Sequence, residues 1–332
     1  PERVGGHGQG MTALAAVAEE LGRHCSSTAM CFGMHSVAAK VLAAKATSYH
    51  EERFLRPIAE GRHVASLALS EPGTGVHFFL PRTRFREEGE SILLDGQKSF
   101  VTSGGRADSY VMSAVAPGQE LDPGAFSCFA VEADAPGLEW LDPWQGFGMR
   151  GNSSRGVRLN GVRIPRENLL GAEGDEIWYV FEVVAPYFIV AMAGVYVGIA
   201  QAALDATIQH LKNRRHAHSG EALSEIPALH HQVAEMWTAL QRTRQLVLHA
   251  ARLGDAGEPT AALALFAAKA DVAETVTFVT QQAMILGGGR AYGDNSNIAR
   301  LLRDAQASHV MAPTTQLLQS WLGRSLLDLP LL

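Results

Sequence analysis

Apolar and polar positions alternate in three different textures along the chain. From Met11 to about Ile58, apolar residues recur at three- and four-residue spacing in an Ala-rich background, which predicts helices. From about His63 to Pro165 the pattern changes to short β-like runs broken by Gly, Pro and Asp, at residues 64–69, 91–94, 109–115, 126–131 and 157–164. Asn160-Gly161, with Val157-Arg158-Leu159 before it and Val162-Arg163-Ile164 after, predicts a two-residue hairpin turn, and Asp95-Gly96 marks a second candidate turn. Helical spacing returns from Asp175. Val233, Met236, Leu240, Val247 and Ala251 keep that spacing, and Gly254 with Gly257-Glu258-Pro259 supplies a stop. A further helix over residues 261–285 is expected to close at Gly287-Gly288-Gly289, and two shorter helices lie near 297–310 and 314–327. The order is helices, a small β region, then a helical bundle. It predicts an α+β protein with segments 1–62, 63–172 and 173–332.

Val183 to Leu204 carries no charged side chain over 22 residues, long enough to cross a bilayer. Pro186, Gly194, Gly198 and Gln201 interrupt it and Asp205 follows, so a helix buried inside a bundle is expected and no membrane span. The 332 residues include 28 basic and 34 acidic side chains, a net charge of −6, with 47% hydrophobic and 19% charged residues. That is an ordinary globular composition. No basic block points to nucleic acid or an anionic membrane as a partner. Cys25, Cys31 and Cys128 form no CxxC pair and are expected to be reduced, buried thiols of a cytoplasmic protein. The opening from Pro1 reads as the middle of a loop, so residues upstream are expected.

Four stretches have candidate chemistry. Ser70-Glu71-Pro72-Gly73-Thr74-Gly75 follows a strand-like run, and its bare backbone N–H groups suit a phosphate or the edge of a ring. Read alone it is a plain β-turn. Asp95-Gly96-Gln97-Lys98-Ser99-Phe100-Val101-Thr102-Ser103-Gly104-Gly105 places Phe100 and Thr102 two apart, on one face of a regular strand, as a ring plane and a hydroxyl for one planar ligand. The third is Gly146-Phe147-Gly148-Met149-Arg150-Gly151-Asn152-Ser153-Ser154, leading to Val162-Arg163-Ile164-Pro165 and Asn168-Leu169-Leu170-Gly171. The fourth is Ile285-Leu286-Gly287-Gly288, then Arg303-Asp304-Ala305, then Pro313-Thr314 ten residues before Arg324.

In this order and spacing the four motifs resemble the acyl-CoA dehydrogenase family, over essentially the whole chain. The resemblance implies an N-terminal helical domain (here lacking its first helices), a central β domain and a C-terminal four-helix domain, assembled as a homodimer or homotetramer. It implies FAD as cofactor and no metal. By matching positions, Leu67, Leu69, Ser70 and Gly75 line the flavin, Phe100 takes the place of an aromatic residue against the ring, and Thr102 matches a hydroxyl near flavin N5. Arg214 matches an arginine that reaches the diphosphate of FAD in a neighbouring subunit, with Gly287 and Gly288 as backbone contacts, and Thr314 and Gln316 on the ribityl and adenine side. Val76, His77 and Met311 match positions near the acyl chain and its carrier.

The implied reaction is α,β-dehydrogenation of an acyl thioester, on CoA or an acyl carrier protein. An electron-transfer flavoprotein or oxygen is the expected acceptor. The chain departs from the pattern at the base: Ala312 stands where the family's catalytic Glu lies, and Phe188, or Tyr187 with a one-residue slip, stands at its alternative position. Candidate replacements are Tyr187 and Glu182, the latter about 9 Å along the helix from position 188 and more readily explained as a surface carboxylate. His77 and His309 are of a residue type suited to act as a base, yet a structural role is commoner for each. His216, His218, His230 and His231 match no standard metal spacing. A specialised thioester oxidation is therefore expected, with a flavin-dependent monooxygenase or a flavoprotein of little turnover as alternatives.

Overall fold

The computed structural model describes residues 1–119, 125–173 and 178–331. The predicted helical onset at Asp175, and Leu332, lie outside them. The chain forms two compact units. A strand unit comprises Pro1–Gln9, Cys31–Gln145 and Arg150–Phe188; a helical unit comprises Gly10–Met30, Gly146–Met149 and Ile189–Leu332.

The strand unit is built on a sheet whose order among the described residues is β6-β7-β3-β2-β4-β5-β8, with β1 also on β4. The strands are β1 (Ala65–Ala68), β2 (Arg84–Glu88), β3 (Ser91–Val101), β4 (Ser109–Val115), β5 (Phe126–Glu132), β6 (Leu138–Pro143), β7 (Arg155–Pro165) and β8 (Leu169–Leu170). Both β1 and β2 run parallel to β4, and the other pairs are antiparallel. Leu94, Tyr110, Met112, Phe129 and Val162 are among the fully buried residues that form its core.

Neither predicted turn is a turn. β7 runs unbroken through Asn160-Gly161, opposite Asp95-Gly96 in β3, and the register shifts there because two β7 residues face one of β3. Gly161 takes a φ of +60° and donates its N–H to Asp95 Oδ1 at 2.7 Å. The dipeptides that favour a hairpin here make a bulge, because both strands are longer than the alternation implied.

The helical unit contains helices Met11–His24, Pro227–Ala256, Ala261–Tyr292, Asn297–Ala305 and Thr315–Leu326, with Ile189–Asn213 as the larger part of helix Ala185–Asn213. The predicted stop at residue 257 is a left-handed cap on Gly257. The long helix that begins at Ala261 closes at the expected glycines: Gly288, with a φ of +56° and a ψ of −150°, is not helical, and a separate short helical stretch follows it to Tyr292. Val195, Tyr196, Ile199, Ala200, Ala203 and Leu204 are at most 1% exposed, so the uncharged stretch is a core helix. Three glycines let helix Met11–His24 lie directly on it: a Cβ on Gly22, Gly194 or Gly198 would strike the backbone of the facing helix. Cys25 is exposed, contrary to expectation, because it is the extended residue between helices Met11–His24 and Ser26–Ala44; Cys31 is half-buried and Cys128 buried.

Buried Asp304 ties remote parts of this unit together. Its carboxylate accepts from the Ser26 hydroxyl, from the Met149 N–H at 2.6 Å and from Arg300 Nη1 at 3.1 Å. Gly148 lies flat against Arg303 and Asp304, where a Cβ would overlap their backbone. Replacing Gly198 by Val forces the helix pair apart, and overpacking of this kind costs about 1–3 kcal/mol. Urea unfolding should show that loss, with a Gly198→Ala variant intermediate.

Candidate functional site

In the strand unit the first two motifs meet through a buried ion pair. Glu71 lies in the turn after β1 and Lys98 on β3, with side chains 2% and 0% exposed. Lys98 Nζ donates to Glu71 Oε1 at 2.6 Å, the Ser113 carbonyl at 2.5 Å and Ser113 Oγ at 3.0 Å. Glu71 also accepts the N–H groups of Arg82 (2.6 Å) and Thr83 (3.2 Å). Burial alone pushes the Glu71 carboxyl up, but Lys98 and these donors outweigh it and hold it below the ordinary value. Burial draws the Lys98 ammonium below its ordinary value, and the charge and hydrogen bond of Glu71 oppose that shift without cancelling it. The Ser99 N–H donates to the Ser70 carbonyl at 2.8 Å, so turn and strand close on each other directly above this pair in sequence.

Phe100 and Thr102 do not share a strand face. A second register shift, between Lys98 and Val101, puts Phe100 at a φ of +54°; its ring is 58% exposed, whereas Thr102 is 5% exposed. Phe100 packs edge-on to Trp144, centroids 5.4 Å apart. Backbone bonds from Ser103 to Asn152 and from Gly104 to Ser153, both 2.9 Å, bring part of the third motif beside the second. Leu67 is half-buried, Leu69 buried, and Gly75 exposed with a φ of +55°. Val76 is half-buried and His77 exposed, edge-on to Phe79. Tyr187 lies beneath Lys40, whose Nζ is 4.7 Å from the ring centroid; Glu182 is exposed.

In the helical unit, Arg214 follows helix Ala185–Asn213 with an exposed side chain, and Nη1 donates to the Arg215 carbonyl at 3.0 Å. Gly287 is buried and Gly288 exposed at a φ of +56°. Thr314 caps helix Thr315–Leu326, accepting the Leu317 N–H, and Gln316 is exposed. Ala312 is half-buried.

Sequence reasoning missed Lys269. Fully buried, its ammonium donates to the carbonyls of Ser308 (2.8 Å), Met311 (3.3 Å) and Pro313 (2.8 Å), so it grips the turn holding Ala312 from both sides. Burial lowers its pKa to about 8. Met311 is held again through Sδ, 3.9 Å from the Tyr196 hydroxyl, and His309 sits between the hydroxyls of Thr277 and Thr315 at 3.1 and 3.2 Å. The missed signal was a single charge whose helical neighbours, Leu265, Phe266, Val272 and Ala273, are all apolar.

Residues 1–62, 66–162 and 188–327 match the acyl-CoA dehydrogenase N-terminal, middle and C-terminal domains. The chain belongs to the acyl-CoA dehydrogenase family. It is 31% identical over 328 residues to cyclohex-1-ene-1-carbonyl-CoA dehydrogenase of Geobacter metallireducens, covering 98% of this chain and 85% of that one. It is 30% identical to the rat mitochondrial short-chain specific acyl-CoA dehydrogenase, covering 96% and 76%. Butyryl-CoA dehydrogenase of Megasphaera elsdenii superposes with a TM-score of 0.92 at 25% identity, over 98% of this chain and 85% of that one.

As a member of this family the protein is an FAD-dependent oxidoreductase acting on CH–CH groups. The residues present fit that cofactor: an exposed aromatic pair, Phe100 and Trp144, suits a planar ring, and exposed Arg214 suits a diphosphate. Because the Glu71 carboxyl is held below its unfolded value, its stabilisation is present above that value and lost as pH falls through the folded one. Glu71→Gln should destabilise the protein by about 3–5 kcal/mol near pH 7, the cost of stranding a buried charge. In urea titrations the gap to wild type should narrow as pH falls below the unfolded value of the carboxyl group.

Proposed function

We propose that the protein oxidises an acyl thioester, carried by CoA or an acyl carrier protein, and passes the electrons to an electron-transfer flavoprotein or oxygen. What carries this reading is the retained turn: Ser70 to Gly75 locked by Glu71 and Lys98 beside the exposed ring of Phe100. The Geobacter metallireducens relative, by its name, acts on a CoA thioester, which supports the substrate class.

FAD, when bound, supplies the two-electron acceptor. Of this chain's own groups, Phe100 and Thr102 are assigned to the ring, with Leu67, Leu69, Ser70 and Gly75 beside it. Arg214, Gly287, Gly288, Thr314 and Gln316 are assigned to the diphosphate and its flanks. Thr314 has a rival task, since its hydroxyl already caps a helix. Val76, His77 and Met311 are assigned to the acyl chain and its carrier. The fixed turn at 311–313 presents a methyl at residue 312 where a base is needed, so proton removal falls to another group. Tyr187 is the first candidate, with the Lys40 cation against its ring; Glu182, exposed at the surface, is the second.

If position 312 is merely missing its carboxylate, wild-type protein should reduce its flavin slowly with straight-chain acyl-CoA thioesters, and Ala312→Glu should speed this by up to about 10²–10⁴-fold. Anaerobic flavin bleaching in both proteins measures it. Fast bleaching in wild type moves the base to Tyr187 or Glu182. No bleaching in either, with NADH-supported oxygenation of a substrate, selects a monooxygenase instead. Arg214→Ala should weaken FAD retention through loss of a charge-assisted contact. Gel filtration with absorbance at the flavin band tests this together with the expected dimer or tetramer.

A further inference from the structure

The hydrogen count at Lys269 has a functional consequence. Its Nζ donates to the carbonyls of Ser308 at 2.8 Å, Met311 at 3.3 Å and Pro313 at 2.8 Å. An ammonium has three hydrogens for these three acceptors, whereas a neutral amine has two hydrogens and a lone pair. Deprotonation therefore sets a lone pair against one carbonyl oxygen. The Met311 contact is the longest of the three and is the one to open. Met311 is tied at its other end as well, where Sδ lies 3.9 Å from the Tyr196 hydroxyl.

The neutral amine has a partner in reserve. Ser308 is fully buried, and its hydroxyl has no hydrogen-bond partner among the described residues. A buried hydroxyl left so is costly, and the carbonyl of the same residue already sits against Nζ. A lone pair accepts such an O–H; an ammonium has no acceptor to offer it. The turn can thus be bonded in two ways, one for each state of Lys269. Burial draws this ammonium down to about 8, and no charged group contributes to that shift. On the same helix Asp271 pairs with Arg242 and Glu274 is exposed, while Arg244 of helix Pro227–Ala256 pairs with Glu19. Asp304 is taken up by Ser26, Met149 and Arg300, and Arg324 bonds the Pro330 carbonyl. His309 and Tyr196 face the turn itself, held as described above.

We propose that Lys269 is a positioning residue: protonated, it holds the 308–313 turn in its working shape, and neutral, it takes the Ser308 hydroxyl and releases Met311. The proposal rests on the acyl-thioester reading above, which assigns Met311 to the acyl chain, and adds an alkaline limit on turnover. That limit runs opposite to the limit set by a base, whose activity is lost as pH falls. Linkage separates it from unfolding. A lysine whose folded value is lowered contributes stability that is present above the unfolded value and lost as pH falls through the folded one. Between about 8 and the ordinary 10.5 this group therefore adds stability while turnover declines.

The test follows the methyl resonance of Met311 in FAD-loaded protein labelled with carbon-13 methionine, assigned by Met311→Leu, from neutral to alkaline pH. In wild type it should move with a midpoint of about 8. Flavin reduction by an acyl-CoA thioester should fall about tenfold per pH unit above that midpoint. Ser308→Ala removes only an unpartnered hydroxyl, so it should fold; by denying the neutral amine its partner it should move the midpoint to higher pH. Lys269→Arg keeps its charge throughout and, where thermal melts show it folded, should abolish both transitions. A Met311 resonance that does not titrate, or a midpoint unchanged by Ser308→Ala, overturns the proposal. Rate and resonance are read separately. A titrating Met311 in a protein whose flavin no thioester reduces refutes thioester oxidation alone, and bleaching with a flat Met311 resonance refutes the positioning role alone.

Discussion

A carboxylate and an ammonium buried together, Glu71 and Lys98, set the geometry on which the strand unit's candidate site depends. Such a pair is a poor source of stability, because desolvation of two ions roughly offsets their attraction. Its value here is positional. Glu71 accepts from two consecutive backbone N–H groups and Lys98 donates to strand β4, so one pair joins the glycine turn, β3, β4 and the start of β2. Loss of either partner strands the other in an apolar interior, and the geometry of all four segments goes with it.

The helical unit solves a related problem without a carboxylate. Lys269 spends its three hydrogens on three carbonyls of one short turn, so main-chain dipoles replace a counter-ion. Lowering of its pKa to about 8 records the cost of that arrangement, and the carbonyls record why it persists. The turn stays rigid although its central side chain is only a methyl. Ala312 therefore sits in a turn whose backbone is held at Ser308, Met311 and Pro313.

Long, strongly periodic elements were legible from the residues alone. The helix around Met236 and Leu240, its Gly257 cap, and the uncharged helix through Tyr196 all follow from spacing and composition. The turn signals at Asn160-Gly161 and Asp95-Gly96 do not make reversals, because the two dipeptides face each other across a ladder and only pairing shows that. The same limit explains Phe100 and Thr102: strict period two fails at a bulge that no single strand announces. Motifs singled out the turn, Phe100 and Arg214 as candidates. They left Lys269 unseen, since its partners are backbone carbonyls forty residues away in sequence.

Asp304 has a consequence for how the chain is made. It joins Ser26, Met149 and Arg300, and the unit it anchors draws on residues 10–30, 146–149 and 189–331. During synthesis, helix Met11–His24 emerges early, with its glycine-lined face exposed, and waits for partners nearly two hundred residues downstream. Contacts so distant in sequence form late and slowly. The nascent chain therefore carries the Gly22 face of that helix without its partner until residues 189–213 have been made.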